Sequence, residues 1–138
     1  MGFDLALTTT SWAGEDRSWT KSKKGYDTCR PITLDLSLFT GGTHYPNGYL
    51  PSGLVLGVVT ATGRYGPYSD AAGDGRTVAR GFLFSSTYVS NAAGRQAAAL
   101  MIEGIIDTTE LPTGHGLDAN GRVDLANMAN GCSFRLEP

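Results

Sequence analysis

The groups of this 138-residue chain that could do chemistry are two histidines, two cysteines and a scatter of serines and carboxylates. His44 and His115 both sit in glycine-rich stretches. A serine hydrolase holds its nucleophile on a strained G-x-S-x-G elbow, and the chain has none. Ser52 precedes Gly53, but Pro51 and the apolar run that follows mark a turn serine. There is no G-x-x-x-x-G-K-[ST], so no phosphate loop is expected. Gly114, Gly116 and Gly121 lack dinucleotide spacing. Residues 118–124, Asp-Ala-Asn-Gly-Arg-Val-Asp, open like a calcium loop. The pattern fails at Arg122, at Val123 where glycine is needed, and at Ala129 where glutamate is needed. An Asx-type turn before a short helix accounts for it better. Asp70 and Asp74 flank Ala-Ala-Gly, which is hairpin-loop chemistry. Glu103 lies inside an apolar strand and faces solvent or a neighbouring subunit. A catalytic acid needs a partner, and the sequence offers none. Neither Cys29 nor Cys132 belongs to a CxxC or stands near a histidine at zinc spacing. They read as free thiols of a reducing compartment. The alternative is a bond tying the N-terminal segment to the last strand. The expectation is a protein that is not an enzyme and has no cofactor or metal.

The elements around these residues are strands. Three apolar, β-branched runs cover residues 54–62, 77–89 and 97–106. They are joined by Gly, Asp, Asn and Pro turns and carry no helix caps. Residues 32–38 alternate apolar and polar, which predicts a half-buried strand. Asn47-Gly48 predicts a tight turn. Residues 123–130 predict two helical turns with Val123 and Ala126 along one side, closed by Gly131. Residues 133–136 alternate and predict a final strand. Nineteen glycines and a charged fraction of 17% fit a turn-rich β protein.

Length and charge bound the function. A chain of this size forms one domain and buries roughly two-thirds of the surface its unfolded form exposes. The net charge of −2 gives no field toward nucleic acid or acidic lipid. No apolar run is long enough to span a bilayer. The first ten residues lack the basic and apolar regions of a secretion signal.

The first 30 residues differ from the rest. They hold both tryptophans, Trp12 and Trp19, and all three lysines, Lys21, Lys23 and Lys24. In residues 11–30, Arg17, Arg30 and the lysines outnumber Glu15, Asp16 and Asp27. No period of 2 or 3.6 organises the apolar residues. Aromatics among basic residues suit docking onto another surface. The chain therefore divides into an extended binding arm, residues 1–30, and a β-rich domain, residues 31–138.

The order of landmarks carries a resemblance. Pro51-Ser52-Gly53 leads into Leu-Val-Leu-Gly. Thr-Ala-Thr-Gly-Arg-Tyr follows, then an Asp/Gly loop, Ala-Arg-Gly-Phe-Leu-Phe, and Glu-Gly-Ile-Ile before Leu111-Pro112. Over about residues 30–138 this resembles the head decoration proteins of tailed bacteriophages, cement proteins of the lambda type. The resemblance implies a small β-barrel of the β-clip or β-tulip kind with an extended N-terminal arm and a short C-terminal helix. It implies a homotrimer on the outer surface of the expanded capsid, at threefold and quasi-threefold positions. There it would stabilise the head against internal DNA pressure after being made in the host cytoplasm. The partner would be the major capsid protein, with no nucleic acid and no membrane. The capsid-binding residues would be Trp12, Trp19 and Tyr26 as anchors and Arg17, Lys21, Lys23 and Lys24 as steering charges, with Ile32 and Leu34 on the first strand. The alternative is a carbohydrate- or receptor-binding β module on a virion surface, with Tyr45, Tyr49, Tyr65 and Tyr68 stacking on sugar rings.

Overall fold

The alternation at residues 32–38 gives β1, Arg30–Asp35. It ends early because the Asp35 carboxylate accepts the Ser37 N–H at 3.2 Å and caps a 3-10 turn, Leu36–Leu38. The structure, a computed structural model, describes residues 17–89 and 91–137. The further elements are α1 (Gly41–His44), β2 (Tyr49–Leu50), β3 (Val55–Val58), β4 (Tyr65–Pro67), β5 (Gly81–Leu83), β6 (Thr87–Tyr88), β7 (Arg95–Met101), β8 (Glu103–Asp107), α2 (Ala119–Ala126) and β9 (Ser133–Glu137).

The fold is mostly β. Five strands close into a ring in the order β1, β4, β3, β5, β7. β3 pairs antiparallel with β4 on one side and β5 on the other. β7 runs antiparallel to all of β1, from Arg30↔Leu100 to Asp35↔Arg95. The parallel joint between β1 and β4 is a single register pair, Leu34↔Tyr65. β2 pairs with β6, and β8 runs parallel to β9.

Each of the three long apolar runs breaks where its backbone changes partner. The first is strand only as β3, because the Val59 carbonyl accepts the N–H groups of Thr62 and Gly63 and turns the chain back. The second begins at Gly81, since Ala79 is held instead by the Asp124 carboxylate at 3.1 Å. It breaks again before β6, which leaves the ring for β2. The third divides at Ile102. Up to Met101 it belongs to the ring, and from Glu103 it pairs with β9.

Two apolar clusters lie on opposite faces of the ring strands, as a period of 2 requires. Leu34, Leu56, Leu83 and Leu100 fill the ring with Leu36, Phe39, Leu50 and Leu54. Their chain neighbours Val55, Phe82 and Met101 face the other way, onto Trp19, Ile106, Leu125 and Phe134. Phe82 is central there, 5.2 Å from the Trp19 ring and 5.0 Å from that of Phe134. Each such side chain, fully buried, contributes about 1.5–3 kcal/mol.

The C-terminal helix is present with different bounds and a different buried side. Asp118 caps it by accepting the Gly121 N–H at 2.7 Å, so it starts at Ala119. Its buried residues are Gly121 and Leu125, whereas Val123 is 68% exposed. A 3-10 turn, Met128–Asn130, follows and ends on Gly131 in the left-handed region.

Candidate functional site

The expected boundary at residue 30 is not where the packing changes. Residues 17–28 form a strap over the second cluster. Thr20 bridges antiparallel to Ile106. The Lys21 N–H donates to the Ile105 carbonyl at 2.9 Å, and the Asp107 N–H donates to the Trp19 carbonyl at 2.7 Å. The strap is thus joined to β8 by a single antiparallel bridge and two flanking main-chain hydrogen bonds. It then turns at Gly25, whose φ is +92°. A Cβ there would lie 2.0 Å from the Glu103 carbonyl oxygen. Only glycine combines that backbone angle with so close an approach. Glu103 faces the strap, accepting the Thr28 hydroxyl at 3.0 Å, which explains an acid within an apolar run.

The structure brings some of the expected anchors together, but in the interior. Trp19 is 1% exposed. Its indole N–H donates to Ser52 Oγ at 3.3 Å. Leu34 is fully buried in the ring, and half-buried Ile32 packs against the same cluster. Tyr26 shares a 2.6 Å hydrogen bond with the Thr20 hydroxyl and sets its ring edge-on to Phe84 at 4.9 Å. Trp19 and Leu34 are spent in the protein's own core and are not available to a partner's surface, while Tyr26 and Ile32 are half-buried against it. Arg17 lies over the Phe84 ring at 3.9 Å and donates through Nε to the Phe84 carbonyl at 3.3 Å. A cation over an aromatic face holds it in place. Lys21 pairs with Glu137 at 3.2 Å near the surface, where such a pair is worth about 0–1 kcal/mol. Lys23 and Lys24 are exposed. Trp12 and the arm up to residue 16 lie outside the described residues.

Part of the β7 edge has no partner strand among the described residues. β5 meets β7 only at Leu100 and Met101, and the Phe84 N–H extends the joint to the Ala99 carbonyl. Among the described residues, no strand pairs with residues 95–98 on that side. A groove lined by Ser85, Thr87, Tyr88, Gln96, Ala97 and Ala98 runs along it. The Gln96 side-chain amide covers the Ala97 carbonyl at 3.4 Å. Exposed Tyr88 stands at the rim beside Tyr49, with ring centroids 6.1 Å apart. The chain enters the described structure next to this edge, because Arg17 is held by the same Phe84 that bonds Ala99.

The polar groups elsewhere are occupied structurally. Ser52 accepts from Trp19 and donates to the Phe84 carbonyl at 2.7 Å, with no base in that set. His44 Nδ1 accepts the Thr40 N–H at 2.9 Å, and His115 Nδ1 accepts that of Leu117 at 2.8 Å. Burial lowers the pKa of both. Tyr68, expected to stack on sugars, is buried. Its hydroxyl stands 2.5 Å from an Asp70 oxygen and 2.8 Å from an Asp118 oxygen, so its one proton is shared between the two carboxylates, and Asn120 donates to Asp70 at 2.9 Å. Burial and the two carboxylates raise the phenol far above its ordinary range. This node joins residues fifty positions apart, so no local spacing could have marked it. Cys29 and Cys132 are free thiols, each raised in pKa by burial. Among the described residues, no helix is long and apolar enough to cross a membrane. No family model, curated protein or solved structure matches this chain.

Proposed function

We propose that this protein is a capsid decoration protein that binds the outer surface of an expanded phage head as a trimer and stabilises it against internal DNA pressure. The observation that carries this reading is the part of the β7 edge without a partner strand among the described residues, beside the point where the N-terminal segment enters the barrel. Small residues at 97–99 and an exposed tyrosine line that edge. A strand edge of this kind takes a further strand by main-chain hydrogen bonding. In this reading the edge serves association between copies, and residues 1–16 with Lys23 and Lys24 reach the major capsid protein. Three arms on one trimer raise the effective concentration of each contact, so weak single contacts add to tight binding. The landmark order in residues 51–112 supports the same class.

The test is mechanical. Full-length protein is added to undecorated, DNA-filled heads, and the temperature of DNA release is followed by dye fluorescence. Saturable protection supports the cement role. Release at an unchanged temperature, with binding to a glycan array, would favour the carbohydrate-binding module, for which the Tyr49–Tyr88 pair is the available stacking surface.

A further inference from the structure

Strand geometry identifies which main-chain groups of the β7 edge lack a partner. The N–H and C=O of one strand residue point to the same side, and the side alternates along the chain. The Ala99 carbonyl accepts the Phe84 N–H at 2.9 Å, on the β5 side. Ala97 and Arg95 therefore present their groups to that side, where no strand meets them among the described residues. The Gln96 side-chain amide reaches the Ala97 carbonyl at 3.4 Å, a long hydrogen bond. Such a row of donors and acceptors is a template for one more strand. Ala97, Ala98 and Ala99 carry little bulk to keep it away, and a groove of about 600 Å³ runs beside them.

The sequence holds a strand pattern a short tether away. Phe3, Leu5 and Leu7 alternate with Asp4, Ala6 and Thr8, and Thr9 and Thr10 continue with β-branched side chains. That is a period of 2 ahead of the aperiodic stretch that begins at residue 11. Residues 11–16 separate it from Arg17 and span up to about 20 Å. Arg17 is held at the Phe84 carbonyl, and the Phe84 N–H bonds Ala99. From Ala99 to Arg95 the edge runs roughly 13 Å, so the tether covers it.

We propose that in the free protein the β7 edge takes the chain's own residues 3–10 as an added strand. A segment on a short flexible tether acts at an effective concentration in the millimolar range, which favours it over a second copy in dilute solution. The edge is thereby closed, and association between free copies is limited. What opens it rests on the capsid reading: an arm drawn onto the capsid uncovers the edge for a neighbouring copy. Closure itself is measured on the free protein, so its failure leaves the capsid reading standing.

The experiment follows amide hydrogen exchange of the full-length protein by NMR. The Ala97 and Arg95 amides are expected to exchange roughly tenfold or more slowly than unpaired ones. Adjacent strand residues point their N–H groups to opposite sides, so either Leu5→Pro or Ala6→Pro removes a ladder donor whatever the register. At least one of the two should return Ala97 and Arg95 to the unpaired rate while the Lys21 and Asp107 amides keep their protection. Protection unchanged on dilution assigns the strand to the same molecule. Fast exchange of Ala97 and Arg95 in the parent, or protection that survives both proline variants, would overturn the proposal. Protection that falls on dilution would overturn it as well and give the edge to a second copy.

Discussion

The indole N–H of Trp19 donates to the buried hydroxyl of Ser52 at 3.3 Å, and that hydroxyl donates to the Phe84 carbonyl at 2.7 Å. One tryptophan thereby joins the N-terminal strap to the turn before β3 and to the end of β5. Trp19→Ala is expected to cost about 3–5 kcal/mol, as large aromatic truncations in a core do. Thermal denaturation checks this. A melting temperature within a degree or two of the parent would mean that Trp19 is not a core residue.

Gly25→Ala tests the strap without removing any side chain. The new Cβ meets the Glu103 carbonyl oxygen, and the backbone is held at positive φ. The strain is expected to cost about 1–3 kcal/mol. Because the strap is the loosened element, the Lys21 and Asp107 amides should lose protection from hydrogen exchange first. Both cross between the strap and β8. Uniform loss across the ring would contradict that localisation.

The histidines predict an acid slope in stability. Burial holds both below the ordinary value of 6.5, with Arg76 adding to the effect on His44 and Arg122 on His115. As pH falls through 6.5 the unfolded chain takes up protons before the folded one does. The stabilisation is therefore complete above that pH and declines below it. The urea midpoint should fall between pH 7.5 and 5.5, and His115→Gln should flatten part of the decline. A midpoint that rises on acidification would reverse the sign.

Ala97→Lys places a charge on the unpartnered part of the β7 edge, where natural sheets use lysine against edge pairing. Position 97 is exposed, so the melting temperature should hold within the change of about 0.5 kcal/mol usual at surfaces. Self-association, measured by sedimentation equilibrium, should weaken. A variant that associates like the parent would move the interface away from this edge.

Some of the fold was legible from local chemistry. The alternation Ile32-Thr33-Leu34-Asp35 gave a real strand because one face of β1 is buried and the other is not. Asp118 stands where an N-cap belongs, and Gly131 closes the last turn. The strap was not legible. Trp19 enters the core as a single residue between two turns, so it leaves no period to detect. The same aromatic, aperiodic composition that fits a surface arm also fits a latch across the protein's own sheet. The break at Ile102 was hidden for a different reason. The chain stays extended while its partners change, and sequence records extension better than partnership. Arg80 and the Tyr68 node depend on contacts distant in sequence, and only the folded chain assembles them.

The capsid reading is tested most directly by offering the full-length protein to compact and to expanded undecorated shells and measuring what co-sediments. The account predicts saturable binding to expanded shells and little to compact ones, since the proposed target is the expanded head. Equal binding to both forms, or none to either, would contradict it.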